Sequence, residues 1–216
     1  MASRIIGLQS ASRDAAARLD KLAHLDPLMA VGNRLAFTDY LPGLHAAAGR
    51  SDRGYAVLLC DVDHFKICND RFGHAFGDEV LRRIAQALSA VVRETDRVFR
   101  YGGEEIIVVA PNSELTQALD VGERLRAQVS QLEFPTNAPE SPLRVTVSIG
   151  VCCYDPTGPK STWEQVTDRV DQALYQAKHS GRDCVVSAGL QPDGSIGFRL
   201  TKPKIDYRYA KALFPE

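Results

Sequence analysis

Two rhythms of apolar and polar residues run along this chain. Tyr55-Ala56-Val57-Leu58-Leu59-Cys60 is almost continuously apolar and breaks abruptly into charge at Asp61-Val62-Asp63. That is the pattern of a strand covered on both faces. From Gly77 to Val92 the apolar residues are Val80, Leu81, Ile84, Ala85, Leu88, Val91 and Val92. Their steps of three and four predict an amphipathic helix. Arg97–Tyr101 and Glu105–Val109 are strand-like runs split by Gly102-Gly103, which predicts a β-hairpin. Asn112 or Ser113 is placed to cap a helix through Leu115, Leu119, Gly122, Leu125, Val129 and Leu132. Phe134–Pro142 carries three prolines and reads as a loop. Val145, Val147, Ile149 and Val151 then alternate with Arg144, Thr146 and Ser148, predicting a half-buried strand. Ser161-Thr162-Trp163-Glu164 reads as a capping box. It opens a helix with Val166, Val170, Leu174 and Ala177 on one side, ending near Gly181, and Cys184-Val185-Val186 is a last short strand.

Upstream, residues 3–25 carry a broken apolar stripe (Ile6, Ala16, Leu19, Leu22, Leu25) and are expected to be helical. Pro27 is expected to start a second helix, with Leu28, Leu35, Phe37 and Leu41 on its apolar side, before a polar turn at Arg50–Gly54. The order from residue 54 is β, α, β-hairpin, α, β, α, β. Because a hairpin interrupts the alternation, the sheet should be antiparallel or mixed rather than doubly wound. The expected class is α+β, a ferredoxin-like βαββαβ core with added helices and a C-terminal extension. The chain divides into an N-terminal helical segment (1–25), one domain (26–189), and an extension (190–216) with no assigned role.

Composition narrows the classes. With 216 residues, 44% apolar, 25% charged and a net charge of −1, the chain is neither disordered nor fibrous. It carries no excess positive charge suited to indiscriminate nucleic-acid binding. No apolar run approaches the ~20 residues of a membrane span, and no signal-peptide core is present. The five cysteines (Cys60, Cys68, Cys152, Cys153, Cys184) are odd in number and lack CxxC spacing, which fits a reduced, cytoplasmic setting.

The chemistry concentrates where charge interrupts the strands. Asp61 and Asp63 end one strand, and Glu104 and Glu105 flank the glycine turn of the hairpin. If the hairpin lies beside the first strand, three or four carboxylates converge, a costly arrangement without cations. Oxygen ligands without histidine or thiolate favour Mg²⁺, with Mn²⁺ an option. Such sites serve phosphoryl or nucleotidyl transfer; the alternative is a set of surface turn residues. A second group is Phe65-Lys66 followed by Asn69 to Asp78, in which Gly73 and Gly77 permit close backbone approach. Asn69 and Asp78 could read a purine edge, and guanine's N–H donors suit a carboxylate; both residues serve equally as turn or cap residues.

The set DVDHFKICND, GHAFGDEVL, RYGGEE, VTVSIGV and ALYQAKHSGRD resembles the GGDEF domains of diguanylate cyclases, over about residues 26–188. The signature is present as Gly102-Gly103-Glu104-Glu105-Ile106. The resemblance implies a nucleotidyl cyclase, palm-like fold. It implies Asp61, the Val62 carbonyl and Glu104 as metal ligands, Glu105 as their support, and Glu104 also as proton acceptor. Lys66 would stabilise charge on the phosphates. Asn69 and Asp78 would read guanine, with Phe65 and His74 lining the nucleotide site. Lys178 and Arg182 would contact the triphosphate; four residues apart, they can face one way, although cations also suit a helix C-terminus without any ligand. Asp63 is expected to shape the turn. Arg93-Glu94-Thr95-Asp96 matches the position of an inhibitory product site, with Arg124 as a second arginine; otherwise it is a polar loop.

The implied activity is condensation of two GTP into cyclic di-GMP and two pyrophosphates, with Mg²⁺, across a homodimer. A partner or upstream sensor would supply the activating input. The alternative is a silent domain that binds GTP or cyclic di-GMP. Met29-Ala30-Val31 departs from the family's Thr-Gly-Leu run, and Cys68 replaces an aliphatic residue.

Overall fold

The structure, a computed structural model, describes residues 22–136, 142–191 and 193–201. The elements are α1 (Arg34–Ser51), β1 (Tyr55–Val62), α2 (Phe65–Phe72), α3 (His74–Val91), β2 (Arg97–Arg100), β3 (Glu105–Pro111) and α4 (Leu115–Ser130). They continue with β4 (Glu133–Phe134), β5 (Leu143–Arg144), β6 (Val147–Tyr154), α5 (Trp163–His179), β7 (Val185–Leu190) and β8 (Ile196–Thr201). The main sheet runs β2-β3-β1-β6-β7-β8. Only β6–β7 pairs parallel; every other pairing in it is antiparallel. This is the mixed α+β sheet expected from a hairpin set among alternating helices and strands.

Strand β1 is buried along its whole length, as its unbroken apolar run predicts. Its side chains alternate between two cores. Ala56, Leu58, Cys60 and Val62 pack under α3 and α4 with Val80, Ile84, Leu88, Val121 and Leu125. Tyr55, Val57 and Leu59 face α1 and α5 through Phe37, Leu41, Val166, Val170 and Leu174. Full burial of the Leu58 side chain alone contributes about 1.5–3 kcal/mol. On β6, a Cβ at Gly150 would collide with the Val170 carbonyl and the Leu174 amide, so α5 lies on the sheet as closely as backbone allows.

Several expectations need correction. Pro27 opens no helix: Asp26 Oδ1 accepts from the Leu28 and Met29 amides and holds a turn, and α1 starts at Arg34, capped by Asn33. Helix α4 is capped by Glu114, reciprocated by Gln117, rather than by Asn112 or Ser113. The box at α5 is Thr162 with Gln165, one residue later than read. Strand β6 is not half-buried; Ser148 is 0% exposed because helices cover both faces. The proline-rich stretch is bracketed by the short β4–β5 pair. Helix α2 was not anticipated, and β8 adds an edge strand to β7 from within the extension. The helix expected over residues 3–25 lies almost wholly outside the described residues.

Candidate active site

The site forms where β1, the β2–β3 turn, the C-terminus of α5 and the α2–α3 pair meet. Asp61, near the end of β1, registers opposite Glu105 on β3 and Ser148 on β6. The turn between β2 and β3 is held from behind by Arg100. Its guanidinium donates to the carbonyl of Gly102 at 3.2 Å and to that of Gly103 at 3.2 and 2.8 Å. Nη1 reaches Asp26 Oδ2 at 3.1 Å. A Cβ at Gly102 would displace the Glu105 carboxylate from its present position. The turn thus brings Glu104 and Glu105 to Asp61. Burial pushes the carboxyl pKa values of Asp61, Glu104 and Glu105 upward, and for both glutamates the Asp61 charge adds to the rise. Carboxylates in this state favour a neighbouring cation.

Two cations from α5 and its exit loop answer that demand. Lys178 Nζ lies 2.8 Å from Asp61 Oδ2. Arg182 is exposed, and its charge acts on Asp61 and His64: it counters the rise at Asp61 and adds to burial in lowering the His64 pKa. Asp63 does not join the acidic group. It accepts from the Thr146 and Ser148 hydroxyls at 2.7 and 2.6 Å and from the Asp183 amide at 3.1 Å, fixing the end of β1 to its neighbours.

Among the described residues no group of three or more His, Cys, Asp or Glu side chains is gathered tightly enough to hold a metal ion. The set implied for Mg²⁺ is smaller: the carboxylates of Asp61 and Glu104 and one backbone carbonyl, Val62. It consists entirely of hard oxygens, and the Asp61 charge raises the cost of ionising Glu104, so the residues present fit a divalent cation.

On the adjoining side, Phe65 and Asn69 of α2 face Gly77 of α3. A Cβ at Gly77 would collide with Asn69 Oδ1 and press on the Phe65 ring, 3.1 Å away. The next residue, Asp78, is half-buried in the same turn of α3. Gly73, at φ 85°, makes the bend between the helices. Lys66 and His74 are exposed at the first turns of α2 and α3. Farther off, Arg93 points to solvent, whereas Asp96 is buried and its carboxylate accepts from the Arg93 amide at 2.9 Å. Arg124 is exposed on α4.

Residues 23–184 match the family described as "Diguanylate cyclase, GGDEF domain". The chain belongs to the GGDEF family. This GGDEF domain is 42% identical over 166 residues to the response regulator PleD of Caulobacter vibrioides, covering 77% of the chain and 36% of PleD. It is 38% identical over 158 residues to the diguanylate cyclase DgcP of Pseudomonas aeruginosa, covering 73% of the chain and 23% of DgcP. The chain therefore spans about a third or less of these relatives. The crystal structure of the coiled coil and GGDEF domain of DgcB from Caulobacter crescentus, in complex with c-di-GMP, superposes with a TM-score of 0.75 at 28% identity. That match covers 86% of this chain and 98% of that one.

Sequence reasoning missed the residues that hold this GGDEF domain's site in place: Asp26, Arg100, Arg126, Thr146, Ser148 and Asp183. One signal was available. Arg126 falls four residues after Gly122 on the apolar stripe of α4, where a charged side chain demands a buried partner.

Proposed function

We propose that this GGDEF domain is a diguanylate cyclase, condensing two GTP into cyclic di-GMP with release of two pyrophosphates. The observation that carries the reading is the meeting of charges at Asp61. The acidic hairpin residues Glu104 and Glu105 approach it from one side and Lys178 from the other. Such a site can neutralise a triphosphate while keeping a base beside the reacting oxygen.

Bound Mg²⁺, held by Asp61, Glu104 and the Val62 carbonyl, would supply charge neutralisation and polarise the phosphate. Lys178, Arg182 and Lys66 would hold phosphate oxygens. Asn69 and Asp78 would pair with the guanine edge, with Phe65 and His74 lining the nucleotide site. The 3′-oxygen of one GTP attacks the α-phosphorus of the other, the bond to pyrophosphate breaks, and the 3′-proton passes to Glu104. The reaction occurs twice, so two protomers must present their GTP face to face, and proximity supplies much of the rate.

Product would bind at Arg93 and Asp96 with help from Arg124 and restrain further synthesis. No described helix is long and apolar enough to cross a membrane. The five cysteines are unpaired, which supports a cytoplasmic setting for a GTP-consuming enzyme. The test is incubation with GTP, with ATP, and with both, in the presence of Mg²⁺, with products identified by mass spectrometry. Cyclic di-GMP from GTP alone supports the reading; no dinucleotide from any mixture overturns it.

A further inference from the structure

Beneath the loop that carries Arg182 lies a buried ionic cluster to which the chemistry above assigns no role. Arg126, on the inner side of α4, is 2% exposed. Its Nε donates to Glu123 Oε2 at 3.0 Å and its Nη1 to Asp183 Oδ1 at 2.7 Å. The Asp183 amide donates in turn to Asp63 Oδ2 at 3.1 Å, on the carboxylate that the Thr146 and Ser148 hydroxyls also hold. An unbroken chain of bonds thus runs from the middle of α4 to the residue two positions from Asp61.

The loop it grips is strained, although the Arg182 amide donates to the Ala177 carbonyl at 3.2 Å. Gly181, Arg182 and Asp183 all have positive φ, at 106°, 62° and 44°. For the two non-glycine residues the left-handed region is intrinsically disfavoured. Asp183 is anchored on both its side chain and its amide, and that double anchor fixes the conformation of the residue before it.

Stability alone is a weak reason for this cluster. Glu123 Oε1 and Asp183 Oδ2 are buried and lack hydrogen-bond partners among the described residues. Buried ion pairs left so incompletely satisfied are often matched in stability by apolar packing. Their worth here lies in what they fix. We infer that Arg126 and Asp183 are positioning residues that lock the loop 181–183 so that Arg182 is presented beside Asp61 and Lys178 to the triphosphate. The inference rests on the reading of Arg182 as a triphosphate contact.

The test is a double-mutant cycle on binding, which needs no turnover. Affinity for a non-hydrolysable GTP analogue with Mg²⁺ is measured by calorimetry for wild type, Arg182→Ala, Arg126→Gln and the double variant. Losing one charge-assisted phosphate contact should weaken binding ~10–100-fold in Arg182→Ala. Arg126→Gln should weaken it comparably, and the double variant should bind no more than about threefold worse than Arg182→Ala, because Arg126 acts through Arg182. Asp183→Asn keeps both the amide donor and an acceptor for Arg126, so it should stay within about threefold of wild type. Where Arg126→Gln fails to give a cooperative melt, Asp183→Ala cuts the same link without stranding carboxylates, and the cycle is run with it. Additive losses in the double variant, or wild-type affinity in folded Arg126→Gln or Asp183→Ala, overturn the inference alone. A wild type that does not bind the analogue overturns the GTP reading first, and the inference with it.

Discussion

The Lys178 ammonium lies 2.8 Å from Asp61 Oδ2 and joins the last turn of α5 to the end of β1. Lys178 is a third exposed while Asp61 is nearly buried, so the pair is only partly shielded from water. Its strength is that of a half-exposed ion pair, about 1 kcal/mol. Its larger consequence is local: Lys178 offsets charge that Asp61, Glu104 and Glu105 accumulate together.

Replacing Lys178 by Met should therefore lower the melting temperature modestly and leave the acidic group with more unbalanced charge. Added Mg²⁺ should raise the melting temperature of the variant by more than it raises that of wild type. Thermal melts with Mg²⁺ and with chelator check this. An equal Mg²⁺ response in the two proteins would separate Lys178 from the metal site.

Gly77 and Asn69 give a second prediction. A Cβ at Gly77 collides with Asn69 Oδ1, so Gly77→Ala should displace the amide without opening the core. We expect KM for GTP to rise about tenfold, the loss of roughly one hydrogen bond, with kcat within a few-fold of wild type. Asp78→Ser should relax the preference for GTP over ATP by a similar or larger factor, ~5–150-fold, in competition assays. Unchanged selectivity would make Asp78 a helix residue and no more.

Much of this site could be read from the chain before its fold was known, and the reason is physical. The apolar run of β1 and the Gly-Gly break of the hairpin each fix local geometry, so the convergence of Asp61 with Glu104 and Glu105 follows once the two strands are paired. Contacts set by long-range packing left no local mark. Asp26 finds Arg100 across 74 residues, and Asp183 finds Asp63 across 120. Cap positions failed by one or two residues at α4 and α5, because serine, threonine, asparagine and glutamate in a row offer several equivalent caps and packing chooses among them. Strand β8 was hidden because its apolar positions, Phe198 and Leu200, are about two-fifths exposed and interrupted by glycine and arginine.

Asp183 supplies a pH prediction. Burial outweighs the Arg126 charge and pushes its pKa from 3.8 to about 6. Between these values the folded state binds more protons than the unfolded state. Its contribution to stability is therefore fully present below about 3.8 and is lost as pH rises through about 6. Asp183→Asn has no such titration. In urea unfolding, the stability of the variant relative to wild type should rise from pH 4 to pH 7. Parallel pH profiles would contradict the assignment.

Arg93 and Asp96 are the residues of the proposed product site. Asp96 is committed to its own turn through the Arg93 amide, while the Arg93 side chain is free in solvent to fork onto phosphate or guanine. Arg93→Ala should leave the initial velocity unchanged and keep progress curves linear for longer, with more cyclic di-GMP accumulated at the plateau. Titration of cyclic di-GMP by calorimetry checks the cause: wild type should bind it and the variant should bind it at least about tenfold more weakly. Equal binding would return the segment to the status of a polar loop.

If the carboxylates at the end of β1 and on the β2–β3 turn perform the proposed condensation, Glu104→Gln should all but abolish it. The change keeps the shape of the side chain, removes one negative charge from a crowded acidic group and abolishes its capacity to take the 3′-proton. Cyclic di-GMP formed from GTP and Mg²⁺ is quantified by mass spectrometry for wild type and variant at equal concentration. Product should fall by about 10³-fold or more, the order expected when several kcal/mol are lost from the transition state, in a protein that melts no earlier than wild type. Turnover within a few-fold of wild type would contradict that role for the carboxylates.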